Sequence, residues 1–172
     1  MSSDAARSPI GRECKFLPLP PDHVGRDGVF EGYASLFRIP DLAKDVVEPG
    51  AFRDSLQRRG ASGVKLLWQH DPAEPIGRWL SLEEDGRGLL VRGRLSLAVA
   101  RAREIHALMR DGAIDGLSIG FRAERSRREP RSGIRRLERV DLWEISIVTF
   151  PMLPQARIRA DRGAMARHSI HA

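Results

Sequence analysis

Apolar residues in this chain fall at alternate positions in one short segment after another, and at clear helical spacing in only one. Alternation marks a strand with one buried face, because successive side chains point to opposite sides of a sheet. Phe30–Phe37, Ile76–Leu82, Gly88–Leu97, Asp115–Phe121 and Leu137–Val148 carry strand chemistry, and Val64–Gln69 is an apolar strand stopped by His70-Asp71-Pro72. Glu83–Arg87, with Gly86, reads as the charged turn of a hairpin. Ala98, Ala102, Ile105, Leu108 and Met109 instead share one side of a helix that Gly112 closes. A short helix opens at Pro49-Gly50-Ala51-Phe52 and runs through Leu56, after a loop from Asp41 to Glu48. Strands outnumber helices and most are hairpin-linked. The expected fold is mainly β (α+β), a small closed or nearly closed antiparallel β-barrel with a few surrounding helices.

The chain has 172 residues, of which 41% are apolar, enough for one buried core. Residues 1–27 carry Pro9, Pro18, Pro20 and Pro21 with little periodicity and read as a flexible arm. Residues 28–158 form the domain, and 159–172 a loose tail. No run approaches the roughly 18 apolar residues of a membrane span, and the N-terminus lacks a signal-peptide pattern, so a cytosolic protein is expected. The single cysteine, Cys14, excludes an internal disulfide and multi-cysteine metal centres. His23, His70, His106, His168 and His171 have no pairing that would present two imidazoles to one ion, and no Gly-rich phosphate loop occurs. No metal and no cofactor are expected. The net charge of +6 is concentrated: residues 122–139 hold eight Arg against three Glu, and 155–172 four Arg against one Asp. The excess thus lies in one connection and one tail.

Two strands carry chemistry. In Asp115–Phe121, Leu117, Ile119 and Phe121 alternate with Gly116, Ser118 and Gly120. Glycines within a strand mark either a bend or a place where another backbone comes close, and here they leave Ser118 on a bare surface. In Asp141–Val148, Trp143, Ile145 and Ile147 are expected to face inward, with Leu142, Glu144, Ser146 and Val148 outward. Glu144 is a mid-strand carboxylate, either solvent-facing or paired. Asp141 sits in phase with the tryptophan at the strand start. His70, at a strand end, has the pKa range of a general base, or is a surface histidine. Ser118, His70 and a carboxylate make up a candidate hydrolytic set.

Asp45-Val-Val-Glu-Pro-Gly-Ala-Phe52, Leu67-Trp-Gln-His-Asp71 with Pro75-Ile-Gly77, Gly116-Leu-Ser-Ile-Gly-Phe121 and Trp143-Glu-Ile-Ser-Ile-Val-Thr-Phe-Pro151 resemble, in order, the blocks of the HK97-type prohead (capsid maturation) protease family. The resemblance runs from about Gly28 to Arg157. It implies a serine endopeptidase with a fold similar to the herpesvirus assembly proteases. It also implies Ser118 as nucleophile, His70 as general base and Glu144 as the acid that orients His70, with Asp141 as the fallback. The sequence does not assign the oxyanion donors; the candidates are a backbone N–H near Met152–Arg157 and the Arg157 side chain.

The implied substrates are the scaffolding segment of the major capsid protein, other prohead interior proteins and the protease itself. Action inside the assembling prohead in the bacterial cytoplasm follows, in a phage, a prophage or a gene transfer agent. Analogy with the herpesvirus enzymes extends to a homodimer. The Arg-rich 122–139 connection is either a dock for an acidic scaffold segment or a solvated hairpin loop. The competing readings are a non-enzymatic basic barrel that binds nucleic acid and an inactive structural prohead component. Aromatic residues, 6% of the chain, are too few near the basic segment to stack bases, so no specific nucleic acid partner is expected.

Overall fold

The computed structural model describes residues 24–159. The chain runs β1 (Val29–Leu36), β2 (Asp45–Val47), α1 (Arg53–Gly63), β3 (Lys65–Trp68), β4 (Asp71–Glu84), β5 (Gly88–Leu95), α2 (Ala100–Arg110), β6 (Gly116–Arg128), β7 (Arg135–Val148) and β8 (Ile158–Arg159). Most of the arm and the tail expected at 1–27 and 159–172 lie outside the described residues. Val24 of the arm is buried and bridges Phe30.

One eight-stranded sheet carries the fold, in the order β2-β7-β3-β4-β5-β1-β8, with β6 paired to β7. The start of β7 pairs with β2 and its end with β3, both parallel, while β6 runs antiparallel to it from Gly116 to Arg128. The fold is mainly β as expected, but the barrel is not closed. The sheet is an open, curled half-barrel. Its ends meet at one bridge, Gly116–Arg157, flanked by Leu117 N–H to Ala156 O (3.0 Å) and Ile158 N–H to Asp115 O (2.8 Å). Beyond that bridge the seam between β1 and β6 stays unpaired.

The concave side holds the core, in which Phe30, Phe52, Leu66, Leu89, Leu117 and Ile145 are among the fully buried side chains. Phe30 and Trp79 meet edge to face with ring centres 5.7 Å apart, a favoured arrangement of their charge distributions. Of the apolar face expected for the helix over Ala100–Arg110, Ala102, Ile105 and Met109 are buried, while Leu108 is exposed and Ala98 precedes the helix.

Four expectations change. Asp45–Val47, assigned to a loop, is a buried parallel strand held by Arg135, which grips Asp45 with two guanidinium nitrogens. The first helix continues to Gly63 with a break at Gly60, and it docks partly through a polar residue: Ser55 Oγ accepts the Leu142 N–H at 2.8 Å. The Arg-rich 122–139 segment is two arms of a hairpin. Arg125, Arg135, Arg136 and Arg139 pair with Glu138, Asp45, Glu48 or Glu129, and Asp54 or Glu124. The facing of β7 also differs: Trp143, expected inward, is 51% exposed, while Leu142, Ser146 and Val148, expected outward, are buried. Gly120 pairs with Glu144 and Phe121 with Leu142, so Trp143 is the extra residue of a β-bulge that breaks strict alternation.

Candidate active site

The centre of the site is the end of β7, flanked by β6 on one edge and β3 on the other. Ser146 stands opposite Ser118 of β6 and beside Leu67 of β3, and Glu144 stands opposite Gly120. Cross-strand partners share a face, as do residues two apart, so Ser118, Ser146 and Glu144 lie on one side of the sheet. Leu117, Ile145 and Ile147 fill the other side with no exposure. The bulge lies beyond Gly120 and leaves this register intact.

His70 reaches the same place by a different device. Trp68 pairs with Asp71, so Gln69 and His70 are the two central residues of a tight hairpin turn, and both have positive φ (52° and 61°). Such turns normally use Asn-Gly, and the left-handed conformation costs other residues about 1–2 kcal/mol each. Bonds to β7 and to Thr149 just past its end offset the strain. Gln69 N–H donates to Ile147 O (3.1 Å), Gln69 Nε2 to Thr149 Oγ1 (2.8 Å) and His70 N–H to Ser146 Oγ (3.0 Å). The expected strand stop at His70-Asp71-Pro72 is therefore this turn, with β4 starting at Asp71.

The turn swings the imidazole over Glu144. His70 Nδ1 lies 2.6 Å from Glu144 Oε1, and Ser146 Oγ donates to Glu144 Oε2 at 2.5 Å. Hydrogen bonding to the carboxylate and its charge raise the His70 pKa above its ordinary value, outweighing the burial that lowers it. With Nδ1–H given to Glu144, the lone pair of the neutral ring sits on Nε2.

Ser118 is 5% exposed and its hydroxyl has no hydrogen-bond partner among the described residues. No hydrogen bond joins it to His70. Its nearest link is through Ser146, whose Cβ is expected about 4.5–5.5 Å away across the ladder and which holds the His70 main chain. Ser118 lines a cleft of about 200 Å³ at the unpaired seam between β1 and β6, walled by Leu36, Ile39, Val47, Phe121 and Leu153.

Asp141 is not part of this group. Arg59 holds both of its oxygens at 2.9 Å, and Trp143 Nε1 donates to it at 2.7 Å. These bonds hold its carboxyl far below the usual carboxylate range. The Arg157 guanidinium is also committed, to Pro154 O at 2.8 Å and Asp115 at 2.5 Å. His106 Nε2 contacts Gly25 O at 2.9 Å, away from the site. Sequence reasoning missed one residue here. Ser146 was visible only as an outward serine in alternation with Ile145 and Ile147, and nothing in that pattern distinguishes it from a surface hydroxyl.

The chain is 38% identical over 138 residues to the prohead protease of Enterobacteria phage HK97, covering 79% of this chain and 61% of that protein. It is 31% identical over 125 residues to a capsid polyprotein of Pseudomonas phage PAJU2, covering 69% of this chain and 18% of the relative. The chain thus spans about three-fifths or less of the length of these relatives. Among solved structures, KSHV protease in complex with a hexapeptide phosphonate inhibitor aligns with a TM-score of 0.55 at 14% identity, covering 76% of this chain and 63% of that one. The bacteriophage T4 capsid assembly protease aligns at 0.52 and 13% identity, covering 70% and 80%. These two likenesses establish a shared fold. The family described as caudovirus prohead serine protease matches residues 19–170, and this chain belongs to it.

Proposed function

We propose that this protein is a serine endopeptidase of capsid maturation, with Ser118 as nucleophile, His70 as general base and Glu144 as the orienting acid. The observation that carries the reading is the 2.6 Å contact between His70 Nδ1 and Glu144, formed one strand away from a serine that lines a cleft. Ser118 Oγ attacks the scissile carbonyl as its proton passes to His70 Nε2. The imidazolium, stabilised by Glu144, then gives that proton to the leaving amine. Water repeats the sequence on the acyl-enzyme and frees Ser118. Nε2 must come within hydrogen-bond reach of Ser118 Oγ when substrate binds, since catalytic hydrogen bonds often form only in the substrate complex.

Oxyanion donors are assigned to the Met152–Arg157 turn, because Ala156 and Arg157 run beside Gly116 and Leu117 next to the nucleophile. The backbone of this turn suits the role better than the Arg157 guanidinium, which is already bonded. Substrates are the scaffolding segment of the major capsid protein, other prohead interior proteins and the enzyme itself, cleaved within the prohead in the host cytoplasm. The names of the phage relatives support this reading. The paired arginines of the β6–β7 hairpin weigh against a nucleic-acid role.

The test is co-expression with the cognate capsid protein, read by intact mass. Truncation of the capsid protein by wild type, lost in Ser118→Ala and in His70→Ala, is the expected result. Full-length capsid protein beside folded wild type would overturn the proposal.

A further inference from the structure

We propose that Ser146 is a positioning residue for the general base, acting through Glu144 and through the main chain of His70. The proposal rests on the reading of Ser118, His70 and Glu144 given above. Ser146 is wholly buried, in a strand whose neighbours Ile145 and Ile147 are core residues. A buried hydroxyl must be satisfied by hydrogen bonds, and most such serines bond to a nearby backbone group, as Ser55 does to Leu142. Of the two bonds of Ser146, one goes to the main chain of the proposed base and the other to the carboxylate that would orient it. It accepts the N–H of His70 at 3.0 Å and donates its own proton to Glu144 Oε2 at 2.5 Å.

The directions of these bonds matter. A main-chain N–H can only donate, and a carboxylate can only accept, so the hydroxyl proton must point at Glu144. Ser146 therefore cannot serve as a second nucleophile. Its effect is geometric. With Ser146 on Oε2 and His70 on Oε1, both oxygens of Glu144 are tied and the carboxylate cannot rotate. The bond to His70 N–H at the same time pins a residue whose positive φ would otherwise relax. One hydroxyl thus fixes the ring that accepts the proton and the acid that orients it. Small misplacements in such a group are costly to rate even when the chemical groups are intact.

The experiment compares Ser146→Ala and Ser146→Thr in the full chain, using a peptide that spans the cleavage site found in the co-expression experiment. Rates are taken per active site titrated with a peptidyl phosphonate. For Ser146→Ala the expected result is a loss in kcat of about tenfold to a hundredfold, the usual range for a hydrogen bond to a charged group, with KM within about twofold. Ser146→Thr, which keeps the oxygen, recovers most of that loss. In a Glu144→Gln background, Ser146→Ala costs no more than about a further twofold, because its main target is already altered. A purely structural serine would show its full cost in both backgrounds, and that result overturns the proposal, as does an unchanged kcat in folded Ser146→Ala. Should the alanine variant not fold, Ser146→Cys keeps the volume with a weaker donor, and a kcat equal to wild type there is equally contrary. Absence of Ser118-dependent cleavage by wild type would instead overturn the proteolytic reading itself, so the two failures are distinct.

Discussion

Gly120 and Glu144 occupy one shared space: a Cβ placed on Gly120 would lie 2.0 Å from Glu144 Oε1. Gly116 is similar, since its Cβ would meet Val148 O at 2.5 Å and Pro151 Cδ at 2.9 Å. Gly120 thus makes room for the protein's own carboxylate, and Gly116 for the close backbone of Val148 and the ring of Pro151. Gly120→Ala is therefore expected to displace Glu144 from His70. Cleavage should fall at least about tenfold in kcat, with overpacking costing about 1–3 kcal/mol in denaturant unfolding. Wild-type kcat in the folded variant would detach Glu144 from the mechanism.

Glu144 and Asp141 separate by the kind of damage each substitution does. Glu144→Gln should lower kcat by about 10² or more, because an amide holds the imidazole less well and cannot stabilise the imidazolium. Asp141→Asn should instead cost about 1 kcal/mol of stability, since it loses charge-assisted bonds from the half-exposed Arg59, and leave kcat per folded molecule within about twofold. Steady-state kinetics beside urea melts of both variants check the pair. The reverse ranking would transfer the orienting role to Asp141.

The raised pKa of His70 has two consequences of opposite sign. As a base, His70 must be neutral, so kcat/KM should rise with pH through a value above 6.5 in wild type, and Glu144→Gln should move this limb down. For stability, a raised pKa favours the folded state while the ring is charged. The advantage of wild type over Glu144→Gln is then full below about pH 6.5 and fades as pH rises through the folded pKa. A pH series of kcat/KM and of urea midpoints tests both. A limb that does not move in the variant contradicts the coupling.

Local signals made much of this legible. Ala102, Ile105 and Met109 marked α2, and the charged turn at Glu83–Arg87 joined β4 to β5, because helix faces and hairpin turns are encoded within a few residues. Ser118, His70 and Glu144 were picked out through the family blocks that contain them; Ser118 and Glu144 share a face through the β6–β7 register, while His70 joins them through its turn. What stayed hidden depends on contacts between distant segments. Asp45–Val47 is a strand only because β7 supplies a parallel edge, and Trp143 faces solvent only because of a bulge against β6. The arginines from 122 to 139 looked like a solvated connection, since their acidic partners lie as far away as Asp45, Glu48 and Asp54. Closure of the barrel failed for a similar reason. Alternation specifies strands but not whether the β1–β6 seam will pair.

The most direct measurement is mass mapping of the adduct formed with a peptidyl phosphonate, which traps an activated serine. A single adduct on Ser118 is expected, formed at least about 10³-fold more slowly in His70→Ala, in keeping with the loss of about 10⁶ in kcat that removing such a base can cause. An adduct on another serine, or persistent cleavage by Ser118→Ala, would contradict the assignment of Ser118, His70 and Glu144.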